Sequence, residues 1–364
     1  MSKFTEEKLE RAIIALLEEQ GYPHHKGESI ARQPSEVLIR TDLQTFLARQ
    51  YAHDGITTVE IAAIIRRLEM LNPADLYDSN KTICKLVADG LLLKREDRSQ
   101  KDLYIQLIDY TELPQQRWPR DGEVETILAE EAAVYASDAN IYRVVNQLEI
   151  EGREKRIPDT ILYINGLPLV VFEFKSTVRE EATIHDAYQQ LTTRYARDIP
   201  ELMKYNGLCV LSDGVNSKVG SLFAPYELFY TWRKVTGNEV IGQDGINGLH
   251  TMIQGLFDKK RLREVLRHFI YFPDVSKQEV KVVCRYPQYY AATKLYQNIK
   301  EHRKPGGDYQ GTPQTRGRWQ GRHLLWRDRQ RQELYHALFD PAVDEERRVC
   351  QPDYCADYRP HRSG

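Results

Sequence analysis

Residues 156–175 read R-I-P-D-T-I-L-Y-I-N-G-L-P-L-V-V-F-E-F-K, and this stretch decides how the rest of the chain must fold. Two short apolar runs, 161–164 and 167–174, flank Asn165-Gly166. Apolar, β-branched and aromatic residues on either side of an Asn-Gly pair predict a β-hairpin. Three ionisable side chains, Asp159, Glu173 and Lys175, interrupt the block. Charges in such a setting are costly unless something pairs them. Glu173 and Lys175 are two apart on a strand and so share a face. A strict two-residue turn would pair Ile164 with Leu167 and Asp159 with Phe172, turning Asp159 away from Glu173. A three-residue loop, Asn165-Gly166-Leu167 with a bulge at the glycine, would pair Ile164 with Pro168 and Asp159 with Glu173. An odd loop or a bulge is therefore expected, a device often found beside active sites.

Two hard carboxylates suit Mg²⁺ or Mn²⁺. A metal there would lower the pKa of a bound water and stabilise charge on a phosphoryl oxygen, with Lys175 placed to orient or activate that water. The bland alternative is a surface hairpin ending in an ordinary Glu173-Phe174-Lys175. Pro158-Asp159 upstream and the apolar run between them weigh against it.

The chain has 364 residues, 41% of them hydrophobic, enough for two or three domains with real cores. With 51 basic and 53 acidic residues the formal charge is -2, which argues against a wholesale polycation and permits local basic grooves. Five scattered cysteines point to a reducing cytoplasm rather than a disulfide framework, and Cys350 and Cys355 alone do not make a zinc site. No run approaches 18 apolar residues and the N-terminus lacks a signal-peptide core, so a soluble cytoplasmic protein away from membranes is expected.

Residues 4–20 carry a helical stripe of Leu9, Ile13, Ile14, Leu16 and Leu17, stopped by Gly21. Glu6, Glu7, Glu10, Glu18 and Glu19 most simply face solvent, with Glu10 the one placed to reach a metal site. Further helices are expected over 41–51, 57–70 and 80–89, and a strand over 102–108. Helices followed by a short hairpin have a weak winged-helix look; the alternative is a helical flank of the core. Residues 114–122 read as a connection and 139–152 as one strand, followed at once by Arg153, Lys155 and Arg156. These basic residues are candidates for DNA phosphates, or simply a charged turn. A helix over 180–197, a strand over 208–212 and another over 218–223 complete an α/β (α+β) core around a mixed sheet. Phe229, Tyr230 and Trp232 are expected to close it by packing. After a linker from 237, Lys259, Lys260, Arg261, Arg263 and Arg267 are expected on a solvated helix face; a strand over 281–284 and a helix over 287–300 follow.

The same residues resemble a known family. The 156–175 block, then D-A-Y-Q-Q-L-T-T-R-Y-A-R-D-I-P, then L-M-K-Y-N-G-L-C-V-L-S-D-G and V-G-S-L-F-A, resembles the N-terminal nuclease domain of the type I restriction endonuclease R subunit over most of residues 1–300. The resemblance implies a restriction-endonuclease-like PD-(D/E)xK core, a mixed sheet flanked by helices. It places Asp159 and Glu173 as metal-binding carboxylates and Lys175 as the catalytic lysine. It also implies a glutamine and a tyrosine on the next helix, with three residues between them; here Gln190 and Tyr195 have four. The implied activity is Mg²⁺-dependent cleavage of double-stranded DNA alongside modification and specificity subunits. The implied order of parts is 1–115, an N-terminal helical part; 116–235, the catalytic core; 236–305, a linker and the start of an ATP-driven motor; and 306–364, an aberrant or disordered tail. ATP belongs to the full-length family only. The family's R-Y-x-Q-Y is present at 285–289, but no G-x-x-x-x-G-K-[ST] phosphate loop occurs.

Residues 311–364 are rich in Arg, Gln and His and hold little periodicity. With free choice of synonymous codons, 322–334 shifted by one base reads G-T-Y-F-G-A-T-G-S-G-K-S, a phosphate loop where the family needs one. The expectation is a frameshifted R subunit with an intact nuclease domain. The alternative is a catalytically idle remnant that binds DNA or partner subunits.

Overall fold

The computed structural model describes residues 6–111, 138–175, 184–237, 246–273 and 279–302. The 114–122 connection, the tail with Cys350 and Cys355, and the 322–334 stretch lie outside the described residues. The chain divides into two compact units, Met1–Tyr286 and Pro287–Gly364.

The first unit opens with α1 (Glu6–Glu19), whose Leu9, Ile13, Ile14 and Leu17 are buried, and β1 (His24–Lys26). Three helices follow, α2 (Arg40–Gln50), α3 (Thr58–Glu69) and α4 (Leu76–Asp89). Thr57 and Glu60 close a reciprocal capping box at the start of α3. A small hairpin, β2 (Leu91–Leu93) and β3 (Leu103–Ile105), ends this part. These helices flank the core: Asn80 of α4 donates to the carbonyls of Met203, Lys204 and Asn206, and Tyr163 donates to the Val37 carbonyl.

The sequence predicts one strand over 139–152, whereas two form: β4 (Tyr142–Asn146) and the short β5 (Ile150–Glu151). The break is Gln147, a non-glycine residue at φ 51°. β5 pairs with β6 (Lys155–Arg156) as a separate hairpin. Then come β7 (Thr160–Ile164) and β8 (Leu167–Phe174), every residue of both buried. Helix α5 (Ile184–Gln189) crosses to β9 (Leu208–Ser212), which turns into β10 (Ser217–Gly220). The six-stranded sheet has the order β1-β4-β7-β8-β9-β10. Its β1–β4 and β8–β9 pairs are parallel and the rest antiparallel, so it is mixed, with helices on both sides. A near-continuous apolar run such as β8 is what a strand covered on both faces requires.

The β7–β8 turn is tight: Ile164 pairs with Leu167, not with Pro168 as a three-residue loop would demand. Asn165 at φ 50° and Gly166 at φ 77° form the two-residue turn. The odd residue sits instead in a bulge further along, where Tyr163 pairs with Pro168 but Leu162 pairs with Val170. Leu169 is the extra residue, and its carbonyl accepts the Gly207 N–H at 2.7 Å.

The unit continues with α6 (Ile246–Leu256), α7 (Lys259–His268) and a two-strand ladder, β11 (Ile270–Tyr271) with β12 (Val282–Val283). Lys260 of α7 is exposed as the sequence suggests, but the other basic residues of this helix are buried or half-buried. Arg263 is buried, Lys259 stands 4.6 Å from the Tyr142 ring, and Arg267 stacks 4.5 Å from Tyr110. Long cationic stems cover aromatic surface while their charged ends find π-faces. Phe229 and Trp232 are buried as expected. Cys84, Cys209 and Cys284 are buried and free, and among the described residues no helix is long and apolar enough to cross a membrane. Helix α8 (Tyr286–His302) supplies the described part of the second unit.

Candidate active site

The bulge at Leu169 has a direct consequence. It shifts the register to Thr160 opposite Phe172, and one further step sets Asp159 opposite Glu173. Phe172 and Phe174 then face the Phe257 side of the sheet, and Glu173 takes the other face. Phe174 donates its backbone N–H to Asp159 Oδ2 at 2.6 Å, and the Lys175 N–H ties the strand end to the Ser212 carbonyl.

Glu173 is held at both oxygens. Lys175 Nζ reaches Oε1 at 2.7 Å, and the Tyr195 hydroxyl donates to Oε2 at 2.9 Å. Gln190 Nε2 in turn donates to the Tyr195 hydroxyl at 2.9 Å. This line of contacts needs Gln190 and Tyr195 on one face although four residues separate them. Residues Gln190–Tyr195 are π-helical, and the wider turn brings positions five apart into line. The extra residue is absorbed without moving either side chain off the site.

Burial raises the pKa of Asp159, and the Glu173 charge raises it further, to about 8; the Phe174 N–H and Lys175 only partly oppose this. Burial likewise raises Glu173 against the pull of Lys175 and Tyr195. Both carboxylates are thus held above their ordinary range, and a nearby positive charge would favour the ionised form of each. Glu10, expected mainly at the surface, is buried on α1, and its charge adds to the upward push on Asp159.

Among the described residues no three His, Cys, Asp or Glu side chains gather into a ready metal cage. The Asp159/Glu173 pair still fits Mg²⁺ or Mn²⁺. Mg²⁺ is commonly held by one or two carboxylates, with water and substrate phosphate oxygens completing its shell.

The three candidate DNA contacts sit on the β5–β6 hairpin. Arg156 is drawn inward: its Nε meets Asp198 Oδ2 at 2.7 Å, and it also pairs with Glu154. Lys155 pairs with Glu149 at 2.6 Å, and Arg153 is exposed, its backbone N–H donating to the Asp198 carbonyl. Asp198 therefore fastens this hairpin to the far end of the helix that carries Gln190 and Tyr195. The sequence reading missed Asp198; its position three residues after Tyr195 was the available signal.

An antiparallel hairpin and a parallel neighbour, with an acidic pair and a lysine at one end and a helix laid across them, define a PD-(D/E)xK-like restriction-endonuclease fold. The chain belongs to the family described as Type I restriction enzyme R protein N terminus (HSDR_N), whose family model matches residues 3–227. It is similar to the Type I restriction enzyme HindI endonuclease subunit of Haemophilus influenzae, 27% identical over 297 residues, covering 78% of this chain and 26% of that protein. It is also similar to the putative type I restriction enzyme MjaIXP endonuclease subunit of Methanocaldococcus jannaschii, 26% identical over 332 residues, or 82% of this chain and 29% of that protein. A Staphylococcus aureus relative, the SauCOLORF180P endonuclease subunit, is 23% identical over 308 residues, 83% of this chain and 28% of its own length. The matched region thus spans less than a third of each of these relatives.

Proposed function

We propose that this chain is the DNA-cleaving part of a type I restriction subunit, or a fragment of one, and hydrolyses phosphodiesters of double-stranded DNA with Mg²⁺ or Mn²⁺. The observation that carries the proposal is the alignment of Asp159, Glu173, Lys175, Tyr195 and Gln190 at one end of the sheet. A divalent cation bound there would activate water and neutralise charge on the phosphate. Asp159 and Glu173 would hold it. The Tyr195 hydroxyl and Gln190 keep the Glu173 carboxylate in one rotamer, and Lys175, 15% exposed, can turn from Glu173 toward an attacking water or a phosphate oxygen. Arg153 and Lys155 lie on the adjoining hairpin, where they can meet flanking phosphates. In this reading ATP-driven movement and choice of DNA site come from other parts and from modification and specificity subunits. The 322–334 stretch belongs to the same proposal as a displaced phosphate loop, which resequencing the gene across codons 306–321 tests.

The test is nicking of supercoiled plasmid by the full chain with Mn²⁺ or Mg²⁺, beside Asp159→Ala and Lys175→Ala. Metal-dependent nicking lost in both variants is the expected result. Nicking that persists in both would place the chemistry elsewhere. Absent nicking together with absent metal binding would leave the idle remnant.

A further inference from the structure

Helix α1 exposes most of its glutamates but buries Glu10. A buried carboxylate is normally paired with a cation, yet Glu10 has no ion pair among the described residues and is met by two neutral amides. Asn146 Nδ2 donates to Oε1 at 2.7 Å, and Gln147 Nε2 lies 3.3 Å from both oxygens. Neutral donors satisfy the carboxylate without cancelling its charge.

Asn146 and Gln147 are consecutive, and on a regular strand their side chains would point to opposite faces. The left-handed backbone at Gln147 is what lets both reach one carboxylate. A non-glycine residue rarely adopts that conformation, and where it persists the surroundings hold it. Here they do. Gly27 lies so close that a Cβ on it would meet the Gln147 carbonyl oxygen at 2.5 Å and Leu148 Cα at 2.6 Å. The Gln147 N–H also reaches the Asp159 carbonyl at 3.4 Å, joining the turn to the strand that carries the site. Asn146 is oriented in turn: with His24 Nε2 2.9 Å from its Oδ1, a proton on that nitrogen leaves the amide NH₂ facing Glu10.

We infer that Asn146 and Gln147 are positioning residues that fix Glu10 as a third negative charge beside Asp159, and so set the affinity of the site for a divalent cation. This rests on the metal site proposed above. A merely structural tie between α1 and the sheet would not call for an uncancelled charge or a left-handed glutamine.

The experiment follows Mn²⁺ binding by electron paramagnetic resonance, and thermal unfolding without metal, on the full chain. Gln147→Gly accepts the left-handed backbone but loses the amide. Its expected signature is a Kd for Mn²⁺ raised about 10-fold or more, in the range usual for outer-shell partners, with the metal-free Tm unchanged or higher. Gln147→Asn tolerates the backbone but falls a methylene short and is expected to weaken binding likewise. In a Glu10→Gln background, Gln147→Gly is expected to add nothing. Unchanged Mn²⁺ affinity in Gln147→Gly overturns the inference, as does an additive loss in the double variant or a fall of Tm and affinity together. A wild-type chain that binds no Mn²⁺ instead overturns the metal reading on which it stands.

Discussion

Asp198 is buried and Asp159 half-buried, and the two carboxylates titrate in opposite directions. Arg197 first, and then Arg156, hold Asp198 down at about 2, whereas burial and the Glu173 charge push Asp159 up to about 8. Asp198 is screened by its own arginines near the surface, with partners at 2.6–2.7 Å, while Asp159 stands just before β7, beside the Glu173 end of β8. One group has been satisfied to hold a hairpin in place. The other has been left electrostatically unsatisfied, which is how binding and catalytic groups are usually prepared.

The sharpest way to separate the two is to remove a charge from each. Lys175→Ala is expected to lower metal-dependent nicking by about 10²–10⁴-fold while leaving the urea midpoint almost unmoved, because Glu173, which burial already pushes toward its neutral form, takes up a proton once its cation is gone. A variant that unfolds instead would make Lys175 a structural ion-pair member like Arg156. Asp198→Ala should do the reverse. Because Arg197 is largely in solvent, the loss is expected to be about 1 kcal/mol, not the several that breaking a core ion pair costs. A urea titration reads it directly.

The pH dependence has opposite signs at the two sites. The Asp198 contribution is fully present above about pH 4, the ordinary carboxylate range, and is lost as pH falls toward 2. Acid unfolding should therefore shift to higher pH in Asp198→Asn. For Asp159 the folded chain holds the proton more tightly than the unfolded one. Metal-free protein should lose stability from this group as pH climbs from about 4 toward 8. Asp159→Asn is expected to flatten that slope, as thermal melts across pH would reveal.

The smallest effect concerns the π turn. Deleting exposed Thr193 should convert Gln190–Tyr195 to ordinary α-helix and keep both side chains on the site face. Nicking within about threefold of wild type and an unchanged Tm are expected. A collapse of activity would show that the π geometry itself matters.

These contrasts also mark how far the sequence could be read. The β7–β8 hairpin was legible because Asn165-Gly166 and two apolar runs leave little alternative, and the need for an odd residue followed from alternation once Asp159 and Glu173 were to share a face. Its location at Leu169 was not legible, since it depends on the Gly207 N–H arriving from a distant segment. Gln190 and Tyr195 were visible as residue types, but their shared face depends on a π turn that no local pattern announces. Gln147 looked like ordinary strand, because left-handed backbone leaves no mark in the sequence unless glycine or asparagine supplies it. The cations of α7 looked solvated because periodicity does not say which aromatic rings, here Tyr110 and Tyr142, will lie beneath them.

On the proposed reading, Asp159 and Glu173 form a pair that takes a divalent cation. The most direct test is the thermal shift produced by Mg²⁺ between pH 6 and pH 8.5, in wild type and in Asp159→Asn. The expected result is a rise in Tm on adding Mg²⁺ that grows as pH increases and the pair loses its proton, and that disappears in Asp159→Asn. No Mg²⁺-dependent shift at pH 8.5, or an equal shift in the variant, would contradict it.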